Sequence, residues 1–308
     1  MTLNSTIHEM NQYITVIGGV NMDISAALTA PFVPADSVPG HVVLGCGGVA
    51  RNIAHNLRLM DHEVKFVSLF GGDSFGEMCH RECETIGLDL SLSERRDGLR
   101  NGLYLCVNDQ TGDMIAAVAD TDIVNHLTPS FLESRIDVIN ASAAVVADTN
   151  IPMESLNYLI DHCNTAPLFV DTVSTAKAPR VIKALQQSRS HHLHALKLNL
   201  MEAQSVTHLD SAQEAAERLL ALGVEQVYIT LGSDGVYCSD GRSQQQYHAI
   251  PTRVINTTGA GDAFIAGVVH AWLGQVPFPE CATTGLKAAH ATLLSQQTVN
   301  PDINQYLQ

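Results

Sequence analysis

The stretch that decides the fold and the chemistry of this chain is Asn256-Thr257-Thr258-Gly259-Ala260-Gly261-Asp262-Ala263-Phe264. The β-branched run Arg253-Val254-Ile255 precedes it and the apolar segment 263–272 follows it, which predicts a strand, a glycine-rich turn and a buried helix. The first N–H groups of such a helix have no partner within the helix and can receive an anion. With the carboxylate of Asp262 beside them, they form the arrangement that phosphoryl transfer to a hydroxyl requires. A glycine turn that only joins a strand to a helix is the alternative interpretation.

Composition restricts the class of function. The chain has 308 residues, 45% of them hydrophobic, which suffices for one large α/β domain. The net charge of −15 disfavours nucleic acids and anionic membranes as main partners. Seven cysteines without a C-x-x-C pair predict reduced thiols in a cytoplasmic protein. The segment Met1–Gln12 lacks the basic-then-apolar pattern of a signal peptide, and Cys79 and Cys83, one helical turn apart, are expected to be partly buried thiols rather than a metal pair.

Polar residues follow the first predicted strand, the β-rich run 13–19 that ends in Gly18 and Gly19. Asn21 and Asp23 come directly after its glycines, at the carboxyl end of the strand, where open α/β sheets bind their ligands. Asp23 can accept hydrogen bonds from both hydroxyls of a vicinal diol, and Asn21 can orient it. An Asx turn that ends the strand is the alternative.

Two adjacent glycines, Gly47 and Gly48, precede the next predicted helix and allow a ligand to approach the backbone closely. Asn52, one turn inside that helix, would face the same ligand. An ordinary polar helix residue is the alternative interpretation of Asn52.

Two regions predict a second, smaller sheet. The segment 28–43 is rich in proline and valine and has no helical period, whereas 102–118 alternates around the turn residues Asn108–Gly112, which predicts a β-hairpin. We therefore predict a single domain over residues 1–308, with a β lid formed by about residues 26–45 and 99–119.

From Ala143 onward, apolar strand patterns alternate with helical ones, which predicts a central, mostly parallel sheet flanked by helices. Lys177 leaves the strand that ends at Asp171, where an exposed surface lysine is as plausible as a ligand. The segment that contains His191, His192 and His194 is polar and lies between predicted elements, so a solvated loop is favoured over a metal site.

Four motifs occur in an order that resembles the ribokinase-like (PfkB-type) family of sugar and nucleoside kinases. They are Gly47-Gly48 with Asn52, Asn199 with Glu202, Thr230 with Gly232 and Gly235, and the stretch Asn256–Phe264, which is called the organising stretch below. The resemblance covers residues 16–294 and implies a three-layer fold with a β lid and an ATP-dependent kinase whose acceptor is an alcohol group.

The resemblance also implies a role for each motif. Asp262 would be the base, and the N–H groups of Gly259, Ala260 and Gly261 would form the anion hole. The remaining residues divide into a substrate set (Asn21, Asp23, Gly47, Gly48, Asn52 and, with less support, Lys177) and a nucleotide set (Asn199, Glu202, Thr230, Gly232 and Gly235), with Glu202 binding Mg²⁺ through water.

Within the family, the stretches 47–57, 146–151, 169–177 and 256–267 are most similar to kinases of the nucleoside pseudouridine, with ribokinase and purine nucleoside kinases as alternatives. A sugar- or nucleoside-binding sensor without activity is a further alternative, which the retained Asp262 disfavours. Some relatives bind K⁺ through an aspartate at the position of Asn256, so asparagine there puts a K⁺ requirement in doubt. The resemblance also suggests a homodimer formed through the lid.

Overall fold

The computed structural model describes residues 13–307, so the expectation about Met1–Gln12 lies outside the described residues. Its main sheet has eight strands in the order β14-β13-β12-β11-β10-β9-β1-β4, of which only β13 and β14 run antiparallel to their neighbours. The predicted fold class is confirmed. The strands are Tyr13–Ile17 (β1), Asn21–Leu28 (β2), Gly40–Gly47 (β3), Glu63–Val67 (β4), Leu69–Gly71 (β5), Glu94–Arg96 (β6), Gly102–Asn108 (β7), Met114–Asp120 (β8), Ala144–Asp148 (β9), Leu168–Asp171 (β10), Leu193–Asn199 (β11), Val224–Thr230 (β12), Val236–Ser239 (β13) and Gln244–Tyr247 (β14).

Helices cover both faces of this sheet because alternate side chains of each buried strand point to opposite sides. On β9, for example, Val146 packs into one core and Val145 into the other. The helices are Val49–Leu59 (α1), Ser74–Thr85 (α2), Pro129–Glu133 (α3), Ile136–Asn140 (α4), Met153–His162 (α5), Ala178–Gln187 (α6), Leu200–Thr207 (α7), Ala212–Leu220 (α8), Ala260–Leu273 (α9), Cys281–Leu293 (α10) and Asn304–Leu307 (α11). The cores place α1, α9 and α10 on one face and α5 to α8 on the other, giving three layers.

A second sheet, in the order β3-β2-β7-β8, stands apart from the main one. The alternating segment around Asn108–Gly112 forms the expected antiparallel hairpin of β7 and β8. One cross-strand row of this sheet contains Leu44, Ile24, Leu105 and Val118. Leu44, Leu105 and Val118 are each more than 40% exposed, so one face of the sheet is apolar and open.

The strand expected before the glycine turn is absent: Arg253–Ile255 belongs to no strand, and Val254 and Ile255 are exposed. A single backbone bond, from the N–H of Ile255 to the carbonyl of Leu293 (2.8 Å), fastens this run to the end of α10. The prediction of a strand at 253–255 was therefore wrong, because local β propensity is overridden by tertiary context.

Two expectations about possible ligand residues also need correction. Helix α6 ends at Gln187 and β11 begins at Leu193, so His194 lies in a strand, with its Nδ1 2.7 Å from Glu225 Oε2, rather than in a solvated loop. Cys79 and Cys83 are fully buried rather than partly buried. Between residues 13 and 307, no group of three or more histidine, cysteine or acidic side chains is placed to hold a metal ion.

None of the helices within the described part of the chain has the length and apolar character needed to cross a membrane.

Candidate active site

Asp262 lies in the first turn of α9 and is 9% exposed. Its Oδ2 accepts a hydrogen bond of 2.7 Å from Asn52 Nδ2 on α1. The structure therefore joins the organising stretch to the residue that follows the Gly47-Gly48 pair, although the two lie far apart in sequence.

The turn before Asp262 leaves the start of α9 open. Gly259, the residue that precedes the helix, has φ +85°, a conformation that glycine adopts without steric penalty, and it makes no side-chain capping bond. The N–H groups of the first turn are not needed by the helix itself. Together with the positive end of the helix dipole, they form a place for negative charge.

A cavity of about 550 Å³ opens directly onto this turn. Its lining includes Ala260 and Gly261 of the turn together with Thr230, Gly232 and Gly235, so two of the predicted motifs face the same space. Much of the remaining wall is apolar and includes Ile250, Pro251, Val254, Leu286, Ala289 and Leu293. The cavity combines an apolar wall with N–H donors at one end, which suits a ligand with a flat apolar part and a charged tail.

Burial raises the pKa of Asp262 from its ordinary 3.8 to about 7, and the negative charges of Asp171 and Asp148 act in the same direction. The hydrogen bond from Asn52 and the charge of Lys197 oppose this rise. A carboxyl group with a pKa near the working pH is well matched to accept a proton from a hydroxyl group.

The predicted substrate residues Asn21, Asp23 and Gly47 lie in contact. Asn21 Nδ2 donates a hydrogen bond to Asp23, and Asn21 pairs with Gly47 across β2 and β3. A Cβ added to Gly47 would lie 2.1 Å from Asp23 Oδ2, so the absence of a side chain there makes room for the carboxylate. Burial raises the pKa of Asp23 to about 6, against the lowering effect of Arg51.

Arg51 connects this group to Asn52. It is 3% exposed and donates hydrogen bonds to the Cys46 carbonyl and to Asn52 Oδ1. Because the amide oxygen of Asn52 is occupied by an obligate donor, its Nδ2 is directed towards Asp262. Gly48, just before α1, has φ +102°, and a Cβ there would lie 2.4 Å from the Gly19 carbonyl oxygen.

Lys177 is connected to the substrate group only indirectly. Its Nζ donates a hydrogen bond to Asn150 Oδ1, and Asn150 and Asn21 line one small cavity of about 20 Å³, room for about one water molecule. Burial lowers the pKa of Lys177. The lysine is therefore half-buried beside the site rather than a free surface residue.

Asn199 and Glu202 form a capping box at the start of α7, with each side chain accepting a bond of 2.8 Å from the other's backbone N–H. Asn199 Nδ2 and Thr172 Oγ1 also donate to the Glu202 carboxylate, at 2.7 and 2.6 Å. Together with the bond from the Asn199 N–H, they occupy three of the roughly four acceptor positions of that carboxylate. The fourth position, on Oε1, has no donor among the hydrogen bonds of the described residues.

Asn256, the position discussed for K⁺, uses its amide within the turn. Its Oδ1 accepts a bond of 3.0 Å from the N–H of Thr258, and its Nδ2 donates to the Gln296 carbonyl at 3.3 Å. The role of its side chain in the structure is thus to shape the turn.

Three buried charges at the carboxyl ends of the strands were missed by the sequence analysis. Asp148, Asp171 and Lys197 are 0%, 1% and 8% exposed. Asp148 accepts hydrogen bonds from the N–H groups of Gly19 and Ala50, which fixes the start of α1. A charged residue inside an otherwise apolar strand, as in Leu196-Lys197-Leu198, is the pattern that points to such a group, because an unpaired buried charge is costly.

The sequence matches the pfkB family of carbohydrate kinases over residues 11–305. The chain belongs to this family. It is 32% identical to the pseudouridine kinase of Escherichia coli (strain K12), over 95% of this chain and 94% of that protein. A putative sugar kinase from Clostridium perfringens has a TM-score of 0.82 at 28% identity, over 96% of this chain and 95% of that one. The ribokinase of Arabidopsis thaliana, solved with ribose and ATP, shares the fold with a TM-score of 0.82 at 18% identity, over 97% and 99% of the two chains.

The family assignment establishes the type of reaction. The protein is a kinase that transfers a phosphoryl group to an alcohol group of a small sugar or nucleoside. Kinases of this family use ATP, typically together with Mg²⁺.

Proposed function

We propose that this kinase transfers the γ-phosphoryl group of ATP to the 5′-hydroxyl of pseudouridine, giving pseudouridine 5′-phosphate and ADP. The observation that carries the proposal is the position of Asp262. Its buried carboxylate lies between Asn52, on the substrate side, and the turn of Ala260 and Gly261 that lines the 550 Å³ cavity. A base at the boundary of two binding regions can act on a hydroxyl of one ligand while the other presents its phosphate.

In the proposed reaction, the carboxylate of Asp262 takes the proton of the 5′-hydroxyl as the oxygen forms a bond to the γ-phosphorus. The bond from that phosphorus to the bridging oxygen of ADP breaks. The N–H groups of Gly259, Ala260 and Gly261 stabilise the negative charge of the transferred group, because their dipoles are already oriented. Most of the rate enhancement in phosphoryl transfer comes from such positioning and charge stabilisation.

The nucleotide is assigned to the cavity that contains Thr230, Gly232 and Gly235, with its phosphates towards the turn. The remaining acceptor position of Glu202 fits a water molecule bound to Mg²⁺, a hard cation that keeps several waters when it binds phosphates. Asn199, which orients Glu202, belongs to the same element. Mg²⁺ neutralises phosphate charge when bound. We propose no K⁺ requirement, since Asn256 carries no charge.

The ribose is assigned to Asn21, Asp23 and Asn52, with Asp23 accepting from its 2′- and 3′-hydroxyls. Asn150 lines a small cavity together with Asn21 and accepts a hydrogen bond from Lys177, and we assign these two residues to the side of the base. The similarity to the Escherichia coli enzyme over almost the whole length of both chains supports pseudouridine as that nucleoside.

Adding one methyl group at Gly47 tests the ribose assignment. In the Gly47→Ala variant, the new Cβ would displace the Asp23 carboxylate, from which it is 2.1 Å away. The loss of charged hydrogen bonds is expected to raise the KM for the nucleoside about tenfold or more, with a smaller effect on kcat. Steady-state kinetics with saturating ATP measure both constants.

Gly45→Ala is the matched control. Gly45 lies on the same strand as Gly47, opposite Asp23 of β2, and a Cβ there meets no atom within 4 Å. If the two alanine variants show the same KM, Asp23 does not hold the sugar.

A substrate panel tests the proposed function itself. ADP release is measured with pseudouridine, uridine, adenosine, ribose and fructose 6-phosphate, and thermal shift with the same compounds is measured without ATP. The highest kcat/KM is expected with pseudouridine. Efficient turnover of ribose alone, or of a purine nucleoside alone, overturns the assignment to pseudouridine. A thermal shift without any ADP release indicates a sensor rather than a kinase.

We also propose that the second sheet acts as a lid over a single-domain active site and pairs with the same sheet of a second subunit. Three exposed apolar side chains, Leu44, Leu105 and Val118, lie in one row of this sheet, and a contiguous exposed apolar row is typical of an interaction surface. Sedimentation equilibrium is expected to give twice the mass of the chain, whereas a monomer at micromolar concentration contradicts the pairing.

Seven unpaired cysteines support a cytoplasmic location.

A further inference from the structure

Lys197 is a buried cation that the proposed reaction does not yet use. It lies on β11 between Leu196 and Leu198 and is 8% exposed. Burying an ammonium group is strongly unfavourable unless it is paired with an opposite charge. A buried lysine at the carboxyl end of a strand, where the sheet forms its active site, is therefore expected to pair with an acidic side chain and to have a function.

Its partner is Asp171 on the neighbouring strand, β10. The two residues are paired in the register of the parallel strands, and Lys197 Nζ lies 3.0 Å from Asp171 Oδ2. Asp171 is 1% exposed, so both charges are withdrawn from water. Ion pairs of this kind interact strongly with any third charge nearby, since little solvent screens them.

The ammonium group also lies against the anion-binding turn. A Cβ added to Gly261 would be 2.7 Å from Lys197 Nζ, so the lysine fills the space that a side chain at position 261 would need. Gly261 is in turn adjacent to Asp262. The geometry thus places one fixed positive charge beneath the turn that bears the proposed base.

We propose that Lys197 is a positioning residue for phosphoryl transfer: its ammonium group, held by Asp171 beneath Gly261, favours the ionised form of Asp262, which accepts the proton of the acceptor hydroxyl. This inference rests on the proposed function for its catalytic consequence. Its electrostatic part concerns only residues of this chain and is testable without substrate.

The charges around the two groups define the expected effects. Asp262 faces Asp171, Asp148 and Lys197 and accepts a hydrogen bond from Asn52; burial and the two acids raise its pKa, to about 7, whereas Asn52 and Lys197 lower it. For Lys197, burial lowers the pKa, but Asp171, Glu202 and Asp262 outweigh burial and raise it. The lysine is therefore charged at neutral pH.

Substitutions at the two members of the pair are expected to act in opposite directions. Lys197→Met removes the positive charge and is expected to move the acidic limb of kcat/KM to higher pH by about one unit or more, the usual effect of an opposite charge at close range. Asp171→Asn removes a negative charge and is expected to move the same limb to lower pH. The double variant, which leaves no unpaired ion in the core, is expected to lie between the two.

The experiment follows the Asp262 carboxyl directly, by ¹³C NMR titration of protein labelled at the aspartate side-chain carboxyl carbon, with Asp262→Asn used to assign the signal. The pH profile of kcat/KM is measured in parallel. Lys65→Met is the control, because Lys65 also pairs with an aspartate, Asp89, but lies on β4 at the far edge of the sheet. It is expected to leave the titration of Asp262 unchanged.

A titration of Asp262 that is the same in wild type and Lys197→Met overturns the proposal, even if the variant is less stable. If Lys197→Met does not fold, the comparison of Asp171→Asn with the double variant decides, because these two proteins differ only in the charge at position 197. The same Asp262 titration in both overturns the proposal. Opposite shifts in the NMR titration without turnover of any alcohol leave this electrostatic role standing while contradicting the proposed function.

Discussion

Asp262→Asn is expected to lower kcat by about 10²- to 10⁴-fold, the range of general-base effects. The substitution keeps the size of the side chain and its ability to accept the hydrogen bond from Asn52, but it removes the group that takes the proton. ADP release with saturating pseudouridine and ATP measures the loss. Binding of both ligands, followed by calorimetry, is expected to change much less than kcat.

The same variant is expected to be at least as stable as wild type at neutral pH. The folded-state pKa of Asp262 is raised from 3.8 to about 7. A carboxyl group whose pKa is raised by folding stabilises the fold fully at pH values below its pKa in the unfolded state. This contribution is lost as the pH rises through its pKa in the folded state. Asparagine avoids that loss, so an equal or higher Tm at pH 8 excludes unfolding as the cause of inactivity. A kcat within tenfold of wild type contradicts the role of Asp262 as the base.

Gly259→Ala is expected to produce the second large loss. Gly259 has φ +85°, and a Cβ there would lie 2.1 Å from the backbone oxygen of Thr298. Backbone atoms cannot move aside as a flexible side chain does, so the turn must shift and its N–H groups lose their direction. The loss of one such donor lowers kcat by about 10²- to 10³-fold in other enzymes, and a similar decrease is expected here.

Gly112→Ala separates this effect from backbone strain alone. Gly112 has φ +92° in the turn between β7 and β8, and a Cβ there meets no atom within 4 Å. Both variants are expected to lose stability by about 1–2 kcal/mol from the left-handed backbone, measured by urea unfolding, but only Gly259→Ala is expected to lose kcat by orders of magnitude. Equal kinetics in the two variants would mean that the turn does not stabilise the transferred group.

The sequence was most informative where local pattern and tertiary structure agree. The alternating residues around Asn108–Gly112 predicted the hairpin of β7 and β8, and the apolar run after Asp262 predicted the buried helix α9. The run Arg253–Ile255 shows the limit of the same reasoning, because the backbone of Ile255 binds the end of α10 and Val254 borders the cavity. Strand β14 contains three glutamines in succession and only one residue of high β propensity, Tyr247, yet it forms the antiparallel edge beside β13.

The interactions that set the chemistry of the site were largely beyond sequence reasoning. Asn52 was expected to face a ligand, but its bond to Asp262 joins two helices and depends on how α1 packs beside α9. The pairing of Lys197 with Asp171 likewise follows from the order of β10 and β11 in the sheet. Burial and charge at such positions depend on the packed fold, which no local pattern specifies.

The central claim is that the turn 258–262 transfers a phosphoryl group with Asp262 as the base. It is tested most directly by ³¹P NMR of ATP, Mg²⁺ and pseudouridine incubated with wild type and with Asp262→Asn. The account predicts one nucleoside 5′-monophosphate for each ADP with wild type, and formation at least about 100-fold slower with the variant. Equal rates for the two proteins, or no phosphorylated alcohol from any member of the substrate panel, would contradict it.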